Sequence, residues 1–132
     1  MIGSGKKIIF IDDNTIIHNM MRKKLEAFGF DTVDIGDSAT YLFDKIKNGN
    51  VYDLILLDDM MPNMSGTEAM KILKAKMQHE VYNGPKYENP IIVFTSNESP
   101  ADKDKYLEAG FDEYLGKGEI SELENIIKKA VQ

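Results

Sequence analysis

Residues 52–66 read Tyr52-Asp53-Leu54-Ile55-Leu56-Leu57-Asp58-Asp59-Met60-Met61-Pro62-Asn63-Met64-Ser65-Gly66. The first six form a continuous apolar run, not an alternating one. That pattern suits a strand covered on both faces, as in a parallel sheet. The run ends in two acids. Ser65 then opens a helix with Ala69, Ile72, Leu73 and Met77 on one face.

The same order of strand and helix repeats on both sides of this stretch. Lys7–Ile11 and Pro90–Thr95 are further continuous apolar strands. Thr32–Ile35 and Glu113–Leu115 have mixed polarity, which places them nearer the sheet edges. Between Thr15 and Phe28, Ile17, Met21, Leu25 and Phe28 recur at i, i+4, i+8 and i+11, and Gly29 follows as a stop. Ser38 caps a helix to about Lys47, with Leu42 and Ile46 four apart, and Asn48-Gly49 ends it. Ser99-Pro100 starts a fourth helix, which ends at Gly110. A fifth runs from about Ile120 to Val131. Strict alternation of this kind means βαβ units with right-handed crossovers. The expected fold is α/β: a flavodoxin-like, doubly wound, five-stranded parallel sheet of order 2-1-3-4-5 with five helices. In such a sheet sites lie at the carboxyl ends of the strands, near the switch point between strands 1 and 3.

Composition narrows the function. The chain has 132 residues, 16 Lys+Arg, 22 Asp+Glu, a formal charge of −6 and no Cys. One domain is expected at this length, with enough core to fold without a disulfide or metal staple. A net-acidic chain lacks the electrostatic footprint of a direct nucleic-acid binder. No apolar run reaches the length of a membrane span, and no signal-peptide core is present, so the cytoplasm is the default compartment. Residues 1–5 are small and read as a flexible tail or a cloning remnant, with the folded domain covering 6–132. Gly3-Ser4-Gly5 precedes a strand and is no dinucleotide loop, and no phosphate-binding GxxxxGK[ST] occurs.

The predicted strand ends hold the chemistry. Strand 1 ends in Asp12-Asp13, strand 3 in Asp58-Asp59 and strand 4 in Thr95-Ser96, and Lys117 closely follows strand 5. Any one of these acids alone is ordinarily a solvated turn residue or a helix cap. Three carboxylates at neighbouring strand ends repel one another, and a hard divalent cation relieves that repulsion. Mg²⁺ binds through a few carboxylates and is commonly shared with phosphate oxygens. A hydroxyl from Thr95 and an ammonium from Lys117 complete a phosphoryl site.

These residues are similar to the receiver domain of two-component response regulators. The resemblance rests on Ile11-Asp12-Asp13, Leu57 to Gly66, Phe94-Thr95-Ser96 and Lys117, and it spans about Lys6 to Val131. It implies that Asp58, four residues before Pro62, is the phosphoacceptor, and that Asp59 points away from the pocket. It further implies that Asp13, Asp58 and the Met60 backbone carbonyl ligate Mg²⁺, with Asp12 assisting through water. Thr95 and Lys117 then bind the phosphoryl group, and Tyr114 is the aromatic that moves inward when Thr95 shifts. The donor is a phosphohistidine on a histidine kinase or histidine phosphotransfer protein. The responding surface is the fourth helix, fifth strand and fifth helix, about Ala101 to Ala130. It meets a downstream output protein or domain, and a phosphorylation-dependent homodimer belongs to the same set of partners. Such a receiver is not an enzyme on other substrates; it catalyses only its own Mg²⁺-dependent aspartyl phosphorylation and dephosphorylation.

The sequence departs from the family at two places. The lysine is usually followed by a proline in a cis bond, whereas here Gly118 follows Lys117 and Gly116 precedes it. The loop is therefore trans or strained. The stretch from Lys74 to Asn89 is longer than usual. It reads as a helix extended by a turn plus a surface loop, or as a partner contact using Met77, Val81, Tyr82 and Tyr87. His18 and His79 read as surface helix residues far from the acids. Met20 or Met21 falls on the first helix, where family members meet their phosphodonor. Two other functions use fewer of these features: a phosphate-independent interaction module, and an aspartyl phosphatase, whose usual D-x-D at strand 1 is lacking. The chain after the fifth helix reads either as a stand-alone receiver or as one cut from a longer protein.

Overall fold

The structure is a computed structural model and describes residues 1–75 and 80–132. Five parallel strands, β1 (Lys7–Ile11), β2 (Thr32–Gly36), β3 (Leu54–Leu57), β4 (Ile91–Thr95) and β5 (Glu113–Gly116), form one sheet in the order β2-β1-β3-β4-β5. The order and the five helices match the expectation. β3 and β4 are buried at every residue, and β2 and β5 are mixed and sit at the edges. The apolar runs work as read because each face of the sheet has its own core. Ile9, Ile11, Ile55, Leu57, Ile91 and Val93 face one side, and Ile8, Phe10, Leu54, Leu56, Ile92 and Phe94 the other.

α2 (Ala39–Lys47), α3 (Gly66–Lys74) and α4 (Pro100–Ala109) cover the first face through Leu42, Leu73 and Tyr106. α1 (His18–Ala27) and α5 (Leu123–Val131) cover the second through Leu25 and Ile127. Ser65 and Ser99 each form a reciprocal capping box, with Glu68 and Asp102. Two helices begin later than their periodicity suggests. A 3-10 turn at Thr15–Ile17, capped by the Asn14 side chain, precedes α1, and another at Lys117–Glu122 precedes α5. The first five residues lie along the α1–β2 turn, where the Gly3 amide donates to the Phe28 carbonyl at 3.0 Å. Among the described residues no helix is long and apolar enough to cross a membrane.

The long link between α3 and β4 corrects the sequence reading. α3 ends at Lys74, with Ala75 already extended, so the described residues carry no added helical turn. Tyr82 and Tyr87 are core residues rather than partner surface. Tyr82 packs on Phe43 with ring centroids 5.0 Å apart and donates its hydroxyl to the Pro85 carbonyl. Tyr87 donates to the Tyr52 carbonyl at 3.1 Å. Val81 is exposed. The expectations for Met77 and His79 lie outside the described residues.

Candidate phosphoryl and metal site

Strand pairing carries the acids to one place. The Asp12 amide donates to the Gly36 carbonyl at 3.1 Å, and the Asp58 amide to the Ile11 carbonyl at 2.9 Å. Each carboxylate therefore leaves the sheet from a position that the ladder holds. Gly66 brings the start of α3 against the same strand end, where a Cβ would collide with the Asp58 carbonyl. This gives the glycine of the Asp58–Gly66 motif a steric reason.

Asp12 and Asp58 are buried and Asp13 is exposed. One oxygen from each of the three lies within 4.8 Å of the others. Asp12 Oδ1 accepts from the Asn14 amide at 2.9 Å. Its Oδ2 is buried and pairs with Lys117 Nζ at 2.8 Å. The same ammonium is 3.5 Å from Asp58 Oδ1 and 5.6 Å from the centre of the Phe94 ring. Burial and then the Asp12 charge push the Asp58 carboxyl up to about 7, and Lys117 opposes them. Burial lowers the Lys117 ammonium, but its bond to Asp12 and the charges of Asp58 and Asp12 outweigh this and raise it. Three converging carboxylate oxygens, two of them from buried acids, fit a hard cation such as Mg²⁺.

Thr95 is fully buried at the end of β4, and its Oγ1 accepts from the Asn97 amide at 3.1 Å. Met60 lies in the β3–α3 turn with its side chain exposed. Asp59 turns to the other side: its Oδ1 accepts from the Thr67 amide and hydroxyl at 2.9 and 2.7 Å, and its Oδ2 from the Tyr106 hydroxyl at 2.8 Å. Tyr114 is half-buried, stacks on Tyr106 at 6.1 Å, and donates to the Asn97 carbonyl at 2.7 Å.

Two residues near the site escaped the sequence reading. His18 was expected far from the acids, yet its Nε2 lies 2.6 Å from the Asp12 carbonyl oxygen and its ring meets Phe10 edge-on. His18 lies on the inward face of α1 with Met21 and Leu25, which brings its ring to β1. Tyr106 is buried and joins Asp59 to Asn97, whose side-chain amide donates to its hydroxyl at 2.9 Å. Burial raises its pKa, opposed by hydrogen bonds to Asn97 and Thr95. As the lone aromatic of an otherwise polar helix, it was the one available sequence signal.

A doubly wound sheet that gathers carboxylates, a threonine and a lysine at its carboxyl edge defines a receiver-type α/β module. The chain belongs to the response regulator receiver domain family, whose model matches residues 8–128, and thus to the modules of two-component signalling. It is 32% identical, over 86% of its length, to the Bacillus subtilis alkaline phosphatase synthesis transcriptional regulatory protein PhoP, of which it covers 42%. The chain spans less than half the length of the curated relatives it matches. Among solved structures it resembles the Francisella response regulator 1452 receiver domain, at 28% identity and TM-score 0.76, covering 97% of this chain and all of that one. It also resembles the receiver domain of the Pseudomonas aeruginosa sensor histidine kinase PA1611, at 25% identity and TM-score 0.76, covering 97% of this chain and 98% of that one. That structure holds a magnesium ion in its active-site cleft.

Proposed function

We propose that this receiver accepts a phosphoryl group on Asp58 from a phosphohistidine of a histidine kinase or phosphotransfer protein, in a Mg²⁺-dependent reaction in the cytoplasm. The observation that carries the proposal is the buried Asp58 carboxylate, flanked by Asp12, Asp13 and Lys117 at one strand end. An Asp58 oxygen attacks phosphorus, the bond from phosphorus to the donor nitrogen breaks, and an acyl phosphate forms. Asp12, Asp13, Asp58 and the Met60 carbonyl would hold Mg²⁺, which supplies positive charge against the carboxylates and the phosphoryl oxygens.

Lys117 opposes protonation of Asp58 before attack and then pairs with a phosphoryl oxygen. Thr95 donates its hydroxyl to the same group. The product adds about −1.5 to −2 charge at this edge. That charge draws Thr95 and Lys117 and shifts the population between two packings of the α4–β5–α5 face. A groove of about 520 Å³ on that face, lined by Lys103, Tyr114, Ile126 and Lys129 among others, is the surface for a downstream output partner or a second phosphorylated copy. Tyr114, tied to the β4–α4 loop through Asn97, reports the shift there.

The test is labelling with a small acyl phosphate in Mg²⁺. Wild type and Asp59→Ala are expected to take an acid-labile, hydroxylamine-sensitive label, and Asp58→Ala to take none. Equal labelling of Asp58→Ala would move the acceptor elsewhere.

A further inference from the structure

Lys117 has no proline to hold its turn. Gly116 and Gly118 flank it, no side chain caps the 3-10 turn that begins at Lys117, and Glu119 leaves helical geometry at φ −114°, ψ 36°. The described residues contain no cis peptide bond. The ammonium nevertheless reaches 2.8 Å from Asp12 and 3.5 Å from Asp58. A turn with two glycines has much backbone freedom to lose, so something outside it must fix it.

Ile120 seats the far end of the turn on the core, and at the Lys117 end Glu98, in the β4–α4 loop, bonds to it. Its Oε1 accepts from the Gly118 amide at 2.8 Å. A proline at position 118 would have no such proton to give. The carboxylate also fills the space that the two glycines leave open. A Cβ on Gly116 would collide with it, lying 2.8 Å from its Cγ, and a Cβ on Gly118 would lie 3.0 Å from Oε1. The loop that carries Glu98 is itself anchored on both sides. The Asn97 amide bonds Thr95 Oγ1, the Asn97 carbonyl takes the Tyr114 hydroxyl, and Ser99 caps α4.

We infer that Glu98 is a positioning residue for phosphoryl transfer: by binding the Gly118 amide it fixes the Lys117 turn and aims the ammonium at Asp12 and Asp58. This rests on the reading of Asp58 and Lys117 above. It makes the Glu98–Gly118 pair this chain's substitute for a rigid proline. It also joins the Lys117 turn to the loop that follows Thr95.

The experiment compares initial acetyl phosphate labelling rates, in saturating Mg²⁺, for wild type, Glu98→Ala, Lys117→Ala and the double variant. Glu98 is exposed, so its loss leaves the fold intact. Glu98→Ala is expected to slow labelling about fivefold, the scale of one hydrogen bond. It should add nothing in the Lys117→Ala background, because it acts through Lys117. Glu98→Gln, whose amide oxygen still accepts from Gly118, should restore the wild-type rate. Gly116→Ala should reproduce Glu98→Ala by expelling the carboxylate, since its backbone (φ −72°, ψ 140°) admits a side chain.

An unchanged rate in Glu98→Ala, or an equal slowing in both backgrounds, would overturn the role. So would failure of Glu98→Gln to rescue. A wild type that takes no label would instead overturn the phosphoacceptor reading. The Gly118 amide then decides the anchor alone: slow hydrogen exchange in wild type and fast exchange in Glu98→Ala support it, and equal exchange refutes it.

Discussion

At the carboxyl end of β3, Asp58 is buried beside the like charge of Asp12, and the one ammonium of Lys117 serves both at 3.5 and 2.8 Å. Before its amino end, the Tyr52 carbonyl takes two donors, the Tyr87 hydroxyl at 3.1 Å and the Asn89 side-chain amide at 2.8 Å. One short strand thus runs from a region where every polar atom named has its own partner to one where two buried carboxylates share a single ammonium. The amino end is arranged for stability. The carboxyl end gives up stability to hold carboxylates where a cation and a phosphoryl group can meet them.

That contrast breaks if the two ends prove to depend on one another. The largest effect is expected from Tyr87→Ala, which empties a core site and leaves the Tyr52 carbonyl one donor short. It should cost about 3 kcal/mol in urea unfolding, with the acyl-phosphate labelling rate of the folded protein unchanged. A lost label in a folded Tyr87→Ala chain would join the two ends.

A smaller effect concerns wild type alone in chelator. Between about 3.8 and about 7 the folded chain keeps a proton on Asp58 that the unfolded chain has released. Stability should therefore fall as pH rises through that window. Chemical unfolding at several pH values measures it, and a flat or rising profile would show that Asp58 costs the fold nothing.

The smallest effect sits between the two regions. Tyr106→Phe keeps the ring and removes the hydroxyl that joins Asp59 to Asn97. It should cost about 1 kcal/mol. It should also weaken the response of α4 amide chemical shifts to a beryllofluoride phosphoryl mimic. An α4 response of full size would leave Tyr106 as packing alone.

The sheet order and the acidic edge were legible because both depend on local signals. Apolar runs of strand length mark the buried strands, and acids at their ends can only meet at one edge. Most of the features that were missed depend on distance. Tyr82 and Tyr87 lie in a polar stretch without periodicity, so nothing local marks them as core. His18 lies on the inward face of α1, three residues before Met21 and seven before Leu25, so the helical spacing did mark it. Glu98 contacts Gly118 twenty positions away, and Tyr106 contacts Asp59 forty-seven away. No spacing rule connects such pairs.

Thermal unfolding of wild type and Asp58→Asn, above about pH 7 where the Asp58 carboxyl is ionised, bears most directly on the cost of the acidic edge. In chelator the variant should melt above wild type, because it removes a buried charge and keeps the shape. Added Mg²⁺ should raise the wild-type melting temperature and close the gap, while Asp58→Asn, and likewise Asp13→Ala, respond much less. A wild type that melts no lower than Asp58→Asn in chelator, and does not shift with Mg²⁺, would contradict the account.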